Sequence, residues 1–377
     1  MVINLFEPNL GKNSLEELEQ VFKSNWLGRG KKVKEFEELF AGFTQIEKNL
    51  LATNSCCSDA IFNAIKVLDL EEKDVVVIPT NSFPAIGSAI LESKANLKIV
   101  DINSHGNIDL DKIPQEILKS AKLFFITHYG GIPADIERLK IESNNSLIFE
   151  DCACSLGTKV NNISLGSNSD FACWSLDPMK LITCGEGGVF HSKNKEFLND
   201  LRKYNYLGLP IKEKSGLEKS DADSQWWIYN IENTGRRSVF CDFHAAMGIP
   251  EIKKISFYLN QKKKFRAIYE DFFNRKGIGF VPQDSKETEY SNYFMTIQIS
   301  NRDKLALFLK NNGIYSSLRY SPLHKMPLFS QFSVGDMKGA DDFYAKSLNL
   351  PIHQKLNEEK ILFICEKINE FFENIDS

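Results

Sequence analysis

Lys180 is the only lysine or arginine between Lys159 and Lys193. It lies in WSLDPMKLITCGEGG, residues 174–188, between the apolar run FACW at 171–174 and a glycine-rich turn from Gly185 to Gly188. An amine desolvated there favours its neutral form, the form that attacks a carbonyl. The chemistry on offer is a Schiff base, and on this stretch alone a solvated loop lysine reads equally well.

Asp151 closes the apolar run LIFE, and a carboxylate at a buried strand end is costly unless a cation partners it. Ser58 and Asp59 precede the apolar-periodic stretch AIFNAIKVL, a helix whose first amides, with those of Cys57 and Ser58, and positive dipole attract phosphate. Phe83, between Ser82 and Pro84 after VVVIP, either packs on the sheet or offers a ring for stacking. Ser175 leaves the same strand as Lys180 and can donate to the same phosphate. Pyridoxal phosphate needs this set: a carboxylate for its pyridine nitrogen, an aromatic plane for its ring, a helix N-terminus with hydroxyls for its phosphate, and a lysine. His128 and Tyr129 follow another strand, where a lone histidine is more often a hydrogen-bonded structural residue. Neither a Ser/His/Asp nucleophile motif nor a Walker-type or G-x-G-x-x-G loop is present.

The elements that must position these residues alternate. Strand patterns fall at 50–53, 74–78, 97–101, 123–127, 147–150, 171–174 and 188–190, with helical patterns at 59–70, 84–93, 112–120 and 134–140. Such alternation predicts an α/β fold with a largely parallel sheet covered on both faces, whose ligands gather beyond the strand C-termini. Ser14 and Glu17 form a capping-box pattern at the start of a helix over 14–24. Residues 206–235 are polar and read as an excursion docked by Trp226, Trp227 and Tyr229. A helix pair over 242–275, a βα unit (YFMTIQIS, then RDKLALFLKNNG) and a terminal helix over 357–374 predict a second, smaller unit.

The chain has 377 residues, enough for two units, and a formal net charge of -4, which steers it to neither nucleic acid nor an anionic membrane. Its apolar runs are too short to span a bilayer and no signal peptide is visible at the start, so the expected location is the cytoplasm. Eight cysteines without C-x-x-C or zinc-type spacing read as reduced thiols rather than a metal site.

Taken together, WLGRGKKVKEFEELFA (26–41), NSCCSDAI (54–61), IPTNSFPAIGSAI (78–90), HYGGIPADIERL (128–139), EDCACSLGT (150–158), WSLDPMKLITCGEGGVF (174–190), DFHAAMG (242–248) and YSPLH (320–324) resemble, in order and over about residues 20–375, the DegT/DnrJ/EryC1/StrS family of PLP-dependent aminotransferases. The resemblance implies a fold-type-I aminotransferase: a mostly parallel central sheet flanked by helices in a large domain, 1–249, with a smaller C-terminal α/β domain, 250–377. It implies a homodimer with shared active sites. By resemblance Lys180 is the Schiff-base lysine, Asp151 the pyridine-nitrogen carboxylate, Phe83 the stacking aromatic, Cys57 and Ser58 the phosphate-holding pair, and Ser175 the phosphate serine. Three positions depart from the pattern. Cys154 stands where Gln or His usually touches the phenolic side of the cofactor. Arg237 stands where an Asn usually reaches the partner subunit's phosphate, and Asp177 replaces a common His. The substrate candidates are Trp26, Arg29, Arg236, Arg319 and His324.

The activity implied is transamination from L-glutamate to the keto group of a nucleotide-linked keto-deoxysugar, for surface polysaccharide or glycan biosynthesis. An alternative acceptor is a small phosphorylated ketone such as dihydroxyacetone phosphate, because Arg29, Arg236, Arg237 and Arg319 could surround a compact dianion. Relatives with His at the lysine position are dehydratases, and Lys180 argues against that class. A non-catalytic sensor or scaffold would bind the cofactor without a half-reaction.

Overall fold

The computed structural model describes residues 2–209 and 230–376. Seven strands form its main sheet: β1 (Leu51–Asn54), β2 (Val75–Pro79), β3 (Asn96–Val100), β4 (Ala121–Thr127), β5 (Leu147–Asp151), β8 (Phe171–Ser175) and β9 (Gly188–Ser192), in the order β1-β9-β8-β5-β4-β2-β3. The missing numbers, β6 (Lys159–Val160) and β7 (Ile163–Ser164), are a hairpin that β11 (Thr288–Glu289) extends. Every neighbouring pair from β8 through β5, β4 and β2 to β3 is parallel, whereas β9 is antiparallel to both β8 and β1. The exception has a topological cause. The parallel strands are joined by long crossovers, helical from β2 to β5 and through the β6–β7 hairpin from β5 to β8, but β9 follows β8 directly through the Lys180 loop, and a direct return pairs antiparallel.

Helices cover both faces because side chains alternate along each strand. On β4, Leu123 and Phe125 join the core formed with α3 (Cys57–Val67), α4 (Pro84–Glu92) and α7 (Lys195–Tyr204). Phe124 and Ile126 face the opposite core, which takes in α5 (Gln115–Ser120) and α6 (Ile136–Glu142). A third core sets Trp174 and Val189 against α2 (Lys31–Thr44) and α8 (Asp242–Lys253). The C-terminal elements are α9 (Ile255–Lys276), α10 (Arg302–Asn311), α11 (Lys338–Lys346), α12 (Glu358–Asp376) and an antiparallel sheet of β10 (Gly279–Phe280), β12 (Met295–Gln298) and β13 (Ser347–Leu350). They surround a core that includes Tyr269, Phe273, Met295, Leu350 and Ile364.

The seven strand patterns and four helical patterns read from the sequence all form, with ends shifted by a few residues. The capping box does not. Helix α1 (Lys12–Ser24) starts a turn earlier, with Gly11 as its N-cap, so Ser14 lies inside the helix with its hydroxyl buried and unpartnered among the described residues. Glu17 pairs instead with Lys32 on α2. The docking expected of Trp226, Trp227 and Tyr229 falls outside the described residues. No helix among the described residues is long and apolar enough to cross a membrane, and all eight cysteines are free thiols.

Candidate active site

Three strand exits converge on one cleft. Asp151 is the last residue of β5, in register with Cys173 on β8. Ser175, the last residue of β8, is in register with Gly188 on β9, which faces Asn54 at the end of β1. Helix α3 begins just beyond Asn54, so the register alone brings its N-terminus beside Ser175. A Cβ on Gly188 would lie 2.6 Å from the Cys56 carbonyl oxygen and the Cys57 nitrogen; only glycine lets the backbones approach this closely.

The helix starts at Cys57, with Cys56 as N-cap; its Sγ accepts from the Asp59 amide at 3.3 Å. The first-turn amides of Cys57 and Ser58 have no intrahelical acceptor and suit an anion. Ser55 Oγ bonds Asp59 and lies 3.0 Å from Ser238 Oγ, which ties the segment preceding α8 to this corner.

Lys180 sits in a loop closed on itself. The Leu176 amide donates to Gly187 O at 2.9 Å and the Cys184 amide to Leu176 O at 2.9 Å. The side chain is 7% exposed; Nζ donates to Tyr293 Oη at 3.3 Å, stands 5.0 Å from the centroid of that ring, and lies 3.7 Å from Asp177 Oδ2. Burial pushes the amine down as expected, but Cys154, Tyr293, Tyr320 and Asp177 push it up more strongly, and it ends well above the ordinary lysine value. The net direction is upward, against the expectation that desolvation alone sets this amine.

Asp151 is buried, and burial raises its pKa while the Ala153 amide, Lys180 and His128 lower it. Its Oδ1 accepts from the Ala153 amide at 3.0 Å, and no side chain among the described residues hydrogen-bonds it. A buried carboxylate left open to the cleft fits a cationic ring nitrogen; with the open amides of α3, this suits the site to pyridoxal phosphate.

Ser175 Oγ donates to Asp177 Oδ2 at 3.0 Å, so Asp177 bridges Ser175 and Lys180. Phe83 caps α4 and is 41% exposed, its ring 5.5 Å from Tyr320. It is not core packing. Burial pushes the Cys154 thiol up to about 11. His128 has both ring nitrogens engaged, Nε2 with Glu150 Oε2 at 2.7 Å and Nδ1 accepting the Ala134 amide at 3.1 Å. His128, Glu150 and Cys152 place ligand atoms within 4.8 Å of one another, yet neither imidazole nitrogen is left for a metal.

The substrate candidates do not gather. Arg319 reaches the cleft, its guanidinium 4.8 Å over Phe6, which stacks on Tyr293 at 4.9 Å. Arg29 is held by Thr53 and Glu37, each at 2.7 Å, while Trp26 Nε1 donates to the Arg29 carbonyl. Arg236 lies 3.9 Å from Glu92 on α4, and Arg237 packs 5.4 Å over Tyr206. His324 is clamped between Thr80 Oγ1 at 2.8 Å and Asp341 Oδ1 at 3.2 Å.

Two cleft residues were not singled out from sequence. Tyr293 is the hub onto which Lys180, Lys262 and Phe6 all pack. Lys262 lines the same wall as Cys154, Ser175, Lys180 and Ser291. A signal for it existed: in α9 it falls in the buried stripe Tyr258, Lys262, Phe265, Tyr269, at helical spacing.

A model of the DegT/DnrJ/EryC1/StrS aminotransferase family matches residues 8–369. The chain is 29% identical to a dTDP-4-dehydro-2,3,6-trideoxy-D-glucose 4-aminotransferase of Saccharopolyspora spinosa, over 99% of this chain and 97% of the relative. It is 26% identical to a GDP-perosamine synthase of Escherichia coli O157:H7, over 98% of both. The solved aminotransferase TlmJ of Streptoalloteichus hindustanus superposes with a TM-score of 0.91 at 27% identity, covering 100% of each chain.

Proposed function

The chain belongs to the DegT/DnrJ/EryC1/StrS aminotransferase family, and from that premise we propose that it transfers an amino group from L-glutamate to the keto group of a nucleotide-linked keto-deoxysugar destined for a surface polysaccharide or glycan. It is an aminotransferase whose family cofactor is pyridoxal phosphate. The observation that carries the site reading is a single cleft holding a buried carboxylate, Asp151, and a buried amine, Lys180. The dTDP- and GDP-linked sugars in the relatives' names support the nucleotide-sugar class.

When bound, pyridoxal phosphate supplies an electron sink that lets an amino acid give up its Cα proton. The amides of Cys57 and Ser58, with the Ser58 and Ser175 hydroxyls, bind its phosphate. Asp151 keeps the ring nitrogen protonated, and Phe83 and Tyr320 offer aromatic surface at the cleft. Lys180 Nζ is the base that takes the Cα proton of the amino donor in one half-reaction and the acid that delivers a proton to the former keto carbon in the other, and Tyr293 Oη, 3.3 Å away, orients that amine.

The second reading, a small phosphorylated ketone, finds less support within one chain, where Arg29, Arg236 and Arg237 are engaged by Glu37, Glu92 and Tyr206 and only Arg319 adjoins Tyr293 and Phe6, and the relatives' nucleotide-linked sugars favour the first. Steady-state rates with dTDP- and GDP-linked 4-keto-6-deoxysugars against dihydroxyacetone phosphate test the choice. Turnover is expected with a nucleotide sugar; turnover with the triose phosphate alone would reverse it.

The reading includes a homodimer with shared sites. Arg29, Arg236 and Arg237 are engaged by Glu37, Glu92 and Tyr206 in place of Lys180 or Asp151, and Trp26 and Leu27 beside Arg29 are exposed, which supports service to a partner's site. Mixed subunits provide the check: Lys180→Ala and Arg237→Ala proteins, each impaired, are expected to regain activity after subunit exchange, and exchange without regain would refute sharing. A division into 1–249 and 250–377 is supported by the C-terminal core around Tyr269 and Leu350. Free thiols support a cytoplasmic location.

A further inference from the structure

Lys262 is a buried lysine that finds no hydrogen-bond acceptor among the described residues. It is 2% exposed, whereas its neighbours Lys263 and Lys264 face solvent. Its Nζ stands 5.8 Å from the centroid of the Tyr293 ring, the ring that also receives Lys180. Among the described residues no carboxylate, carbonyl or hydroxyl accepts a hydrogen bond from it. The titratable and charged groups that face it are Cys154 after β5, Lys180 in the loop after β8, Tyr293 ahead of β12 and His353 after β13. None is a carboxylate, since Asp177 is engaged with Ser175 and Lys180.

Burying an unpaired ammonium is unfavourable, and packing alone would favour an apolar side chain of the same volume. Burial accordingly pushes the amine down to about 7, against the pull of Cys154, and helps hold His353 down at about 4. The position opposes stability and borders Lys180, Cys154 and Tyr293 in the reaction cleft.

We propose that Lys262 binds a carboxylate of the amino donor and thereby holds a dicarboxylic acid in the cleft beside Lys180. This rests on the aminotransferase reading. The ligand brings the missing acceptor, and an opposite charge at contact distance favours the ammonium form. Near neutrality and above, the amine therefore takes up a proton from solvent as the carboxylate enters, and no bond is made or broken.

The test is calorimetric titration of glutarate, an unreactive dicarboxylate, into the holoenzyme at about pH 8 in buffers of differing ionisation enthalpy. Uptake of close to one proton per site is expected from linkage. Lys262→Met should bind glutarate at least ~10-fold more weakly with no uptake, and Lys262→Arg should restore binding without uptake, because its charge is permanent. Apoprotein carrying Lys262→Met should also melt higher than the parent at pH 7. Unchanged affinity and uptake in Lys262→Met, or a lower melting temperature, would overturn the assignment. The visible spectrum of each holoprotein separates the two levels: a normal cofactor spectrum with unaltered glutarate binding sinks Lys262 alone, whereas a parent that takes up no cofactor sinks the underlying reading too.

Discussion

Lys180→Ala protein is expected to lose transamination by ~10⁴-fold, the upper end of what a positioned acid-base group contributes, with its role as covalent anchor lost as well. The loss should fall on the half-reaction with glutamate and on the half-reaction with the keto acceptor alike, because one amine serves both proton transfers. Added methylamine should restore part of the rate, since the empty volume left by the side chain adjoins Tyr293 and Asp177. Stability should move in a defined direction. The folded pKa of Lys180 lies above its unfolded value, so its stabilisation is fully present below the unfolded value of about 10.4 and is lost only as pH rises through the folded one. The parent's stability relative to the alanine protein should therefore decline as pH rises above about 10.4. Single-turnover absorbance for each half-reaction and a thermal melt of the apoprotein check both statements.

Asp151→Asn should lower kcat/KM by ~10³-fold, or ~4 kcal/mol of transition-state stabilisation, while leaving the fold intact. The amide keeps the acceptor for Ala153 but cannot hold a proton on the ring nitrogen. Here the stability sign reverses. Burial raises the folded pKa of Asp151, so the folded state binds more protons than the unfolded one above the usual carboxylate range, and stability falls as pH rises through the folded value. Removing the charge relieves that cost. The Asn apoprotein should melt at or above the parent at pH 8, and the gap between them should close as pH is lowered towards the carboxylate range. A structural role for Asp151 would give the opposite: lower stability and a proportionate loss of activity.

These opposed signs show what was legible in the sequence. Asp151 and Lys180 could be found because each breaks a local pattern, a carboxylate ending an apolar strand and a lone amine between an apolar run and glycines. The strands were legible from their composition: β2, β4 and β5 each hold an unbroken run of at least three apolar residues, as suits strands covered on both faces. Phe83 was ambiguous among 28 phenylalanines, and only its exposure beside Tyr320 argues against core packing. Ser14 misled because a capping pattern is local, whereas Glu17 was claimed by Lys32 from another helix.

The far wall of the cleft was hidden. Tyr293 and Lys262 come from segments more distant in sequence, and KKKF at 262–265 reads as a solvated charge run until helix phase is counted. The arginines failed differently. They were grouped by charge, and within one chain Arg29 is engaged by Glu37, Arg236 neighbours Glu92 and Arg237 packs on Tyr206. Their common purpose, in the reading offered above, lies across a subunit boundary that a single sequence does not display.

The central claim is that Lys180, and not the second buried lysine of the same cleft, is the covalent anchor. Reduction of the holoenzyme with borohydride, followed by peptide mass spectrometry, locates the attachment directly. The expected result is one pyridoxyl modification per chain, on Lys180, abolished in Lys180→Ala protein. Modification on Lys262, or none on either lysine while the visible spectrum shows bound cofactor, would contradict the account.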